Sequence, residues 1–238
     1  MFGDSAVWHQ TQYECVSYHG NGYLGGSQTD DAMLIDIHTH RPREGSFEHV
    51  LSIVQNVDSL GVHPMDDAPL PSLGGAVSHC TMGEHSFSEG HFSFVGECGI
   101  DKLCTVPVEK QVDKFRQHIL LSEQYHVPVI IHCVKAQEEL LRVRREMRPT
   151  QAWIWHGFRG KPQQLDQIIQ AGLYVSFGIR YNRESLLRCP SDRMFLETDD
   201  APVTIEQVYV QVSTDLCISM EQLERLIEDN YVRIKEVR

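Results

Sequence analysis

Positive charge is scarce in this chain. Its 21 Lys and Arg stand against 33 Asp and Glu, a formal net charge of −12. A broad nucleic-acid-binding face needs a basic patch, so this balance argues against that class of surface. An anionic substrate held through metal cations is not excluded, because a bound ion can be the largest local charge in a site. Long apolar runs are missing as well. None approaches the ~20 residues that cross a bilayer, so no membrane partner is expected. The seven cysteines (Cys15, Cys80, Cys98, Cys104, Cys133, Cys189, Cys217) contain no CxxC and are odd in number. A disulfide framework is therefore not expected, and a reducing, cytoplasmic setting is. The N-terminus lacks a basic stretch followed by an apolar core, so no secretory signal is expected. No glycine-rich phosphate loop opens a helical stretch, which weighs against a doubly wound nucleotide-binding sheet.

What is present is enough for one large domain. The chain has 238 residues, 41 % hydrophobic and 23 % charged, in the range of globular proteins with a sizeable core. Residues 1–32, including GNGYLGGSQTDD, are rich in Gly, Asn, Ser and Asp without a periodic apolar face. They read as a flexible N-terminal extension, with Met33 as a possible alternative start. From 33 to 238 strand-length apolar runs alternate with helical patterns. The runs are LIDI (34–37), VLSIV (50–54), SLGVHP (59–64), FSFVGEC (92–98), VPVIIH (127–132), AWIWH (152–156), LYVSFG (173–178) and RMFLET (193–198). Helical spacing appears over 108–126, 136–147, 161–172, 203–217 and 219–237, with Ser219 and Gln222 resembling a capping box.

Strand–helix alternation with buried strands implies a parallel α/β fold, and about eight strands in this length imply a (β/α)8 TIM barrel. The early β/α units are abbreviated. Only nine residues separate His40 from Val50, and fewer separate Val54 from Ser59. Parallel neighbours usually need a dozen or more to cross over, so antiparallel pairing of two strands there is the alternative. Residues 66–92 read as a degraded helix plus loop.

The stretch LIDIHTHRP carries the first chemical signal. On a strand, His38 and His40 share a face, and paired neutral imidazoles suit a metal. Other ionisable groups fall at the ends of later strands: Glu97 in GECGID, His132 in PVIIHC, His156 in WIWHGF, and Glu197 and Asp199 in LETDD. In a barrel these ends meet at one mouth, which is where barrel enzymes do chemistry. Each residue has a plain structural reading too. A lone His at a strand end is commonly a satisfied polar group, and Asp199-Asp200 before Ala201-Pro202 suits a helix N-cap. The coincidence of five strands delivering metal-ligand residue types at the same end outweighs these readings. Cys133 beside His132 is a poor nucleophile candidate, since adjacent strand residues face opposite sides. Trp153 and Trp155 read as packing rather than a base-stacking platform.

HTH, GVHP, GECGID, PVIIHC, WHGFRG and LETD occur in that order, and together they resemble the TatD family of metal-dependent hydrolases, from Met33 to about Ile234. The resemblance implies a (β/α)8 barrel with two divalent metal ions (zinc, manganese, magnesium or iron) and 3′→5′ deoxyribonuclease activity on DNA ends or small nucleotides. It implies that His38, His40 and Asp199 hold one ion, that Glu97 bridges, and that His132 and His156 complete the second site. Asp199 would be the proton acceptor, so Asp199 and Glu97 are the expected catalytic residues. His63 would lie near the substrate phosphate, although it reads equally as a strand end before Pro64. Asp101 and Glu197 would orient the mouth, and Lys135 would offer a cation to phosphate. The chain departs from the family pattern in four places. The helix after the first motif is missing, Met65-Asp66 follows GVHP, the stretch after LETD is shortened to DAP, and Val134-Lys135 stands where an arginine is common. The rival functions are an amidohydrolase-like enzyme acting on a small amide, lactone or phosphate ester, and a non-catalytic metal-binding barrel. Glu97 in place of a carboxylated lysine, and the intact ligand set, weigh against both.

Overall fold

A computed structural model describes residues 33–41, 49–70 and 92–236. The proposed extension, 1–32, and most of the stretch read as a degraded helix plus loop lie outside the described residues. Eight strands occur among those described: β1 (Leu34–Thr39), β2 (Val50–Val54), β3 (Ser59–Leu60), β4 (Phe94–Asp101), β5 (Val129–Val134), β6 (Trp153–Trp155), β7 (Tyr174–Phe177) and β8 (Met194–Leu196). All pairings are parallel and follow chain order. The antiparallel alternative for the early strands is thereby excluded.

Closure at the seam is made by backbone hydrogen bonds from Asp199 N–H to the His38 carbonyl (3.0 Å) and from His40 N–H to the Asp199 carbonyl (3.2 Å). Asp36 reinforces it. Burial pushes its carboxyl up to about 7, opposed by hydrogen bonds from Thr198. It accepts from Thr198 N–H (3.0 Å) and Thr198 Oγ1 (2.6 Å), clamping β1 to the end of β8. On the other side of β1, Gln55 N–H donates to the Thr39 carbonyl (2.9 Å). Gln55 also bridges to Ser59 in parallel. β3 thus starts at the level where β2 ends. The chain never returns to the bottom of the barrel between them, so no crossover helix is needed.

The helices follow β4 onward: α1 (Val108–Tyr125), α2 (Gln137–Met147), α3 (Pro162–Gln170), α4 (Arg183–Arg188), α5 (Ile205–Leu216) and α6 (Met220–Lys235). The short α4 has no counterpart in the sequence reading. Its signal is Asn182, whose side chain caps Ser185 N–H. The expected capping box of α6 is present: Gln222 N–H reaches Ser219 Oγ (3.2 Å), and Ser219 N–H reaches Gln222 Oε1 (2.9 Å). Apolar residues of β4 to β8, among them Val95, Ile130, Ile154, Val175 and Phe195, are fully buried. β1 is covered by α5 and α6, with the Tyr209 hydroxyl pinned to Ile35 N–H at 3.0 Å. β2 is different: Val50, Leu51 and Ser52 are only half-buried. Trp153 is fully buried against Phe115 and under Arg144, and Trp155 is buried edge-on to Phe158, so both tryptophans pack.

Candidate metal centre

Parallel strands in a closed barrel end at one mouth, and the ionisable strand-end residues meet there. Glu97 is the hub. Its side chain is almost fully buried, and its two oxygens face different partners. Oε2 lies 3.3 Å from His38 Nε2 and 3.1 Å from His40 Nε2. Oε1 lies 2.7 Å from His132 Nδ1, 2.8 Å from His156 Nε2 and 3.3 Å from His63 Nε2. Asp199 Oδ1 completes the first group, 3.4 Å from His40 Nε2 and 3.8 Å from His38 Nε2. Asp199 has φ +53°, a left-handed conformation that Asp enters more readily than most residues.

Two glycines permit the close approach. A Cβ on Gly61 would lie 2.5 Å from the Gly96 carbonyl carbon, so only glycine lets the GVHP loop lie against β4 and bring His63 to Glu97. Gly99 has φ +147°, and a Cβ there would lie 2.0 Å from the His132 carbonyl oxygen. That contact is where β4 and β5 pair beside His132.

Electrostatics follow from this crowding. Burial pushes the Glu97 carboxyl up, but the facing His132, His156, His38 and His40 reverse this and hold it well below the usual carboxylate range. His156 is opposed by burial, and Glu197 and Glu97 raise it well above the ordinary imidazole range. His40 is raised, chiefly by its contact with Glu97. Glu197 is opposed by burial and lowered by His156.

Whether the donors suit a cation is tested by what they lack. His38 is fully buried, yet neither ring nitrogen has a hydrogen-bond partner. A buried polar atom left unpaired costs about 1–3 kcal/mol, so an ion at this place satisfies an otherwise orphaned group. His132 Nδ1 and His156 Nε2 lie 3.3 Å apart, and ligands at ~2.0–2.1 Å around a tetrahedral ion are separated by about 3.3–3.4 Å. The outer partners point the same way. His132 Nε2 is 3.3 Å from Asp101 Oδ2, which fixes the ring so that Nδ1 faces inward. Asp101 is held in turn by Leu103 N–H at 2.7 Å. His156 Nδ1 lies 3.6 Å from Glu197 Oε1, and Glu197 Oε2 accepts from Ser176 Oγ.

His63 differs from the other four imidazoles. Its Nδ1 accepts a hydrogen bond from Met65 N–H at 3.2 Å. In a neutral ring the proton then sits on Nε2, the atom directed at Glu97 and His132. His63 thus presents a donor to the mouth rather than a lone pair. Lys135 is exposed and lines a cleft of about 440 Å³ beside the mouth with Lys102, Gln137, Gln164, Gln167 and Trp155. That volume falls within the ~300–1,000 Å³ of ligand pockets.

Of the ten sequence-predicted residues, His38, Glu97, Asp101 and His132 lie within β1, β4 and β5, and His40, His63, Lys135, His156, Glu197 and Asp199 follow strand ends. Glu197 and Asp101 are buried behind His156 and His132. Lys135 stands at the rim. Burial pushes the Cys133 thiol up to about 12, against a nucleophilic role.

Sequence reasoning missed the supports. Gln55 Oε1 accepts from Glu97 N–H at 2.6 Å. Gln111, on α1, is buried and holds Asp101 through Asp101 N–H (2.7 Å) and its carbonyl (3.0 Å). His118 is fully buried, and its Nε2 accepts from Val62 N–H at 2.9 Å, next to His63. Asp36, the one acid in the apolar run LIDI, was the only one of these with a visible signal.

Fold and site together define a class: a parallel (β/α)8 barrel whose mouth holds a buried imidazole–carboxylate cluster of the kind that binds divalent cations. The sequence profile of the family described as TatD related DNase matches residues 29–235, and the chain belongs to that family. A metal-dependent hydrolase named YcfH, of Escherichia coli K12 and otherwise uncharacterized, is 24 % identical over 162 residues, covering 59 % of this chain and 61 % of that protein. The 3′-5′ ssDNA/RNA exonuclease TatD of Erwinia amylovora is 31 % identical over 118 residues, 44 % of each chain. The crystal structure of YjjV, the TatD homolog from Escherichia coli K12, aligns with TM-score 0.59 at 18 % identity, covering 79 % of this chain and 78 % of that one. The matches thus span between two fifths and about four fifths of these proteins. Among the described residues no helix is long and apolar enough to cross a membrane.

Proposed function

We propose that the protein is a metal-dependent phosphodiesterase that removes nucleotides from DNA ends in the 3′→5′ direction. The carrying observation is Glu97, whose two oxygens each face their own group of imidazoles. That arrangement suits a carboxylate shared between two divalent ions. His38, His40 and Asp199 would hold one, and His132 and His156 the other, with Glu97 between. When bound, such ions supply Lewis-acid activation of water and offset charge on phosphate oxygens.

The chain's own residues do the rest. Asp199, partly open to solvent and at the edge of the cluster, takes the proton from the attacking water. His63 Nε2–H donates to a non-bridging phosphate oxygen. Lys135 adds a point charge for the strand. Asp101 and Glu197 keep His132 and His156 turned inward. The named activity of the Erwinia relative agrees with this reading. The acidic balance of the chain suits a strand end held at the mouth better than a long duplex.

The test is hydrolysis of a 3′-labelled single-stranded DNA by chelator-stripped protein, with Mg, Mn or Zn restored, beside His132→Ala and Asp199→Ala. Metal-dependent release of the label, lost in both variants, is the expected result. No release with metals bound would discard DNA as substrate and point to small phosphate esters.

A further inference from the structure

Two large apolar side chains stand exposed at the mouth, Met65 at 62 % and Leu103 at 65 %. Each follows a site residue by two positions and is tied to it. Met65 N–H donates to His63 Nδ1 (3.2 Å), and Leu103 N–H donates to Asp101 Oδ1 (2.7 Å). The backbone bonds that set the His63 tautomer and anchor Asp101 behind His132 therefore also place these apolar side chains.

The two loops are laced into one unit. Cys104 Sγ lies 3.6 Å from the Pro64 carbonyl, and Lys114 Nζ reaches the Asp66 carbonyl at 2.5 Å. Gln111 gathers the Asp101 and Val106 carbonyls from below, at 3.0 and 2.7 Å. Neither loop needs to order on binding, which lowers the entropic cost of contact. Lys102, beside Leu103, adds a cation at the same rim, although it is paired with Glu139 at 2.8 Å. Apolar surface next to cations is the chemistry of a single-stranded nucleotide: bases on the first, phosphates on the second.

Resting on the phosphodiesterase reading, we infer that Met65 and Leu103 form an apolar clip for a nucleobase flanking the scissile phosphate. The polarizable thioether of Met65 makes favourable contacts with aromatic rings, which suits a base of any identity.

The test uses single-stranded DNA with a tetrahydrofuran abasic residue at the terminal or the penultimate position, and the variant Met65→Ser/Leu103→Ser. Wild-type kcat/KM should fall about tenfold when the flanking base is removed, a loss that about 55 Å² of apolar burial accounts for. The variant should cleave intact and abasic strands at similar, reduced rates. Anisotropy with a phosphorothioate-ended strand, which resists hydrolysis, should show the same discrimination in binding. Equal handling of intact and abasic strands by the wild type overturns the clip. So does discrimination that survives in the variant. Bound strand without cleavage under any metal sinks the phosphodiesterase reading, while base-dependent binding lost in the variant would still uphold the clip.

Discussion

The barrel has two unlike sectors. From β4 to β8 the apolar strand residues are buried, apart from the half-buried Val134. From β1 to β3, β2 is only half-buried, and β2 passes to β3 through Gln55–Asp58 with no helix. Yet ligand candidates come from both sectors, His38 and His40 from one and Glu97, His132, His156 and Asp199 from the other. β2 delivers no ionisable residue to the cluster, and its Val50, Leu51 and Ser52 are half-buried. β1 delivers two, and it is covered by α5 and α6.

The largest effect should come from the hub that joins the sectors. Glu97→Ala removes the carboxylate shared by both imidazole groups. Metal content by mass spectrometry should collapse, and phosphodiester hydrolysis should fall at least about a thousandfold. Retention of both would show that the sectors bind ions independently of Glu97.

Cover can be tested directly. Ile130, on β5, is fully buried, whereas Leu51 on β2 is half-buried. Ile130→Ala should cost about 3–4 kcal/mol in urea unfolding, and Leu51→Ala about 1 kcal/mol. Equal costs would mean that β2 is as well packed as β5, and the contrast would fail.

His118 links α1 to the GVHP loop across the sector boundary. Burial lowers its pKa to about 4. Unfolded, the ring titrates near 6.5. Between those values the unfolded chain takes up a proton that the folded chain refuses. Stability from this residue is therefore complete above pH 6.5 and falls as pH drops toward 4, by about 3 kcal/mol in total. His118→Gln keeps an acceptor for Val62 N–H and should flatten that part of the profile in metal-free protein. An unchanged profile would place the titration elsewhere.

The smallest effects should come from the supports. Asp101→Asn and Gln55→Leu each remove one hydrogen bond behind the cluster, in opposite sectors. Metal affinity should drop about tenfold to a hundredfold for Asp101→Asn, as for other groups that orient a ligand. Gln55→Leu leaves Glu97 N–H unpaired and should weaken the fold by about 1–3 kcal/mol. A titration in which Gln55→Leu also lowers metal affinity to the level of Asp101→Asn would show that the short sector orients Glu97 as tightly as the long one.

Much of this was legible in the sequence. Period-two and helical spacing mark strands and helices because burial acts on each element by itself, and strand-end ligands are visible because a parallel barrel sends every strand end to one mouth. The capping box at Ser219 was equally local. The supports were not local. Gln111 and His118 sit in an amphipathic helix where a polar residue reads as surface, and their partners are backbone groups outside it: Asp101 and Val106 for Gln111, and the distant Val62 for His118. Gln55 follows a strand and looks like a loop residue until Glu97 N–H is placed against it.

The sequence by itself determined the alternation of elements, the residue types at the strand ends and the family. Only the tertiary structure decided which oxygen of Glu97 meets which histidine, that β2 and β3 join in parallel without a helix, and that His63 turns a donor toward the mouth. The reason is physical: residue type and periodicity are written along the chain, whereas hydrogen-bond partners and tautomers depend on backbone atoms brought close only by closing the barrel.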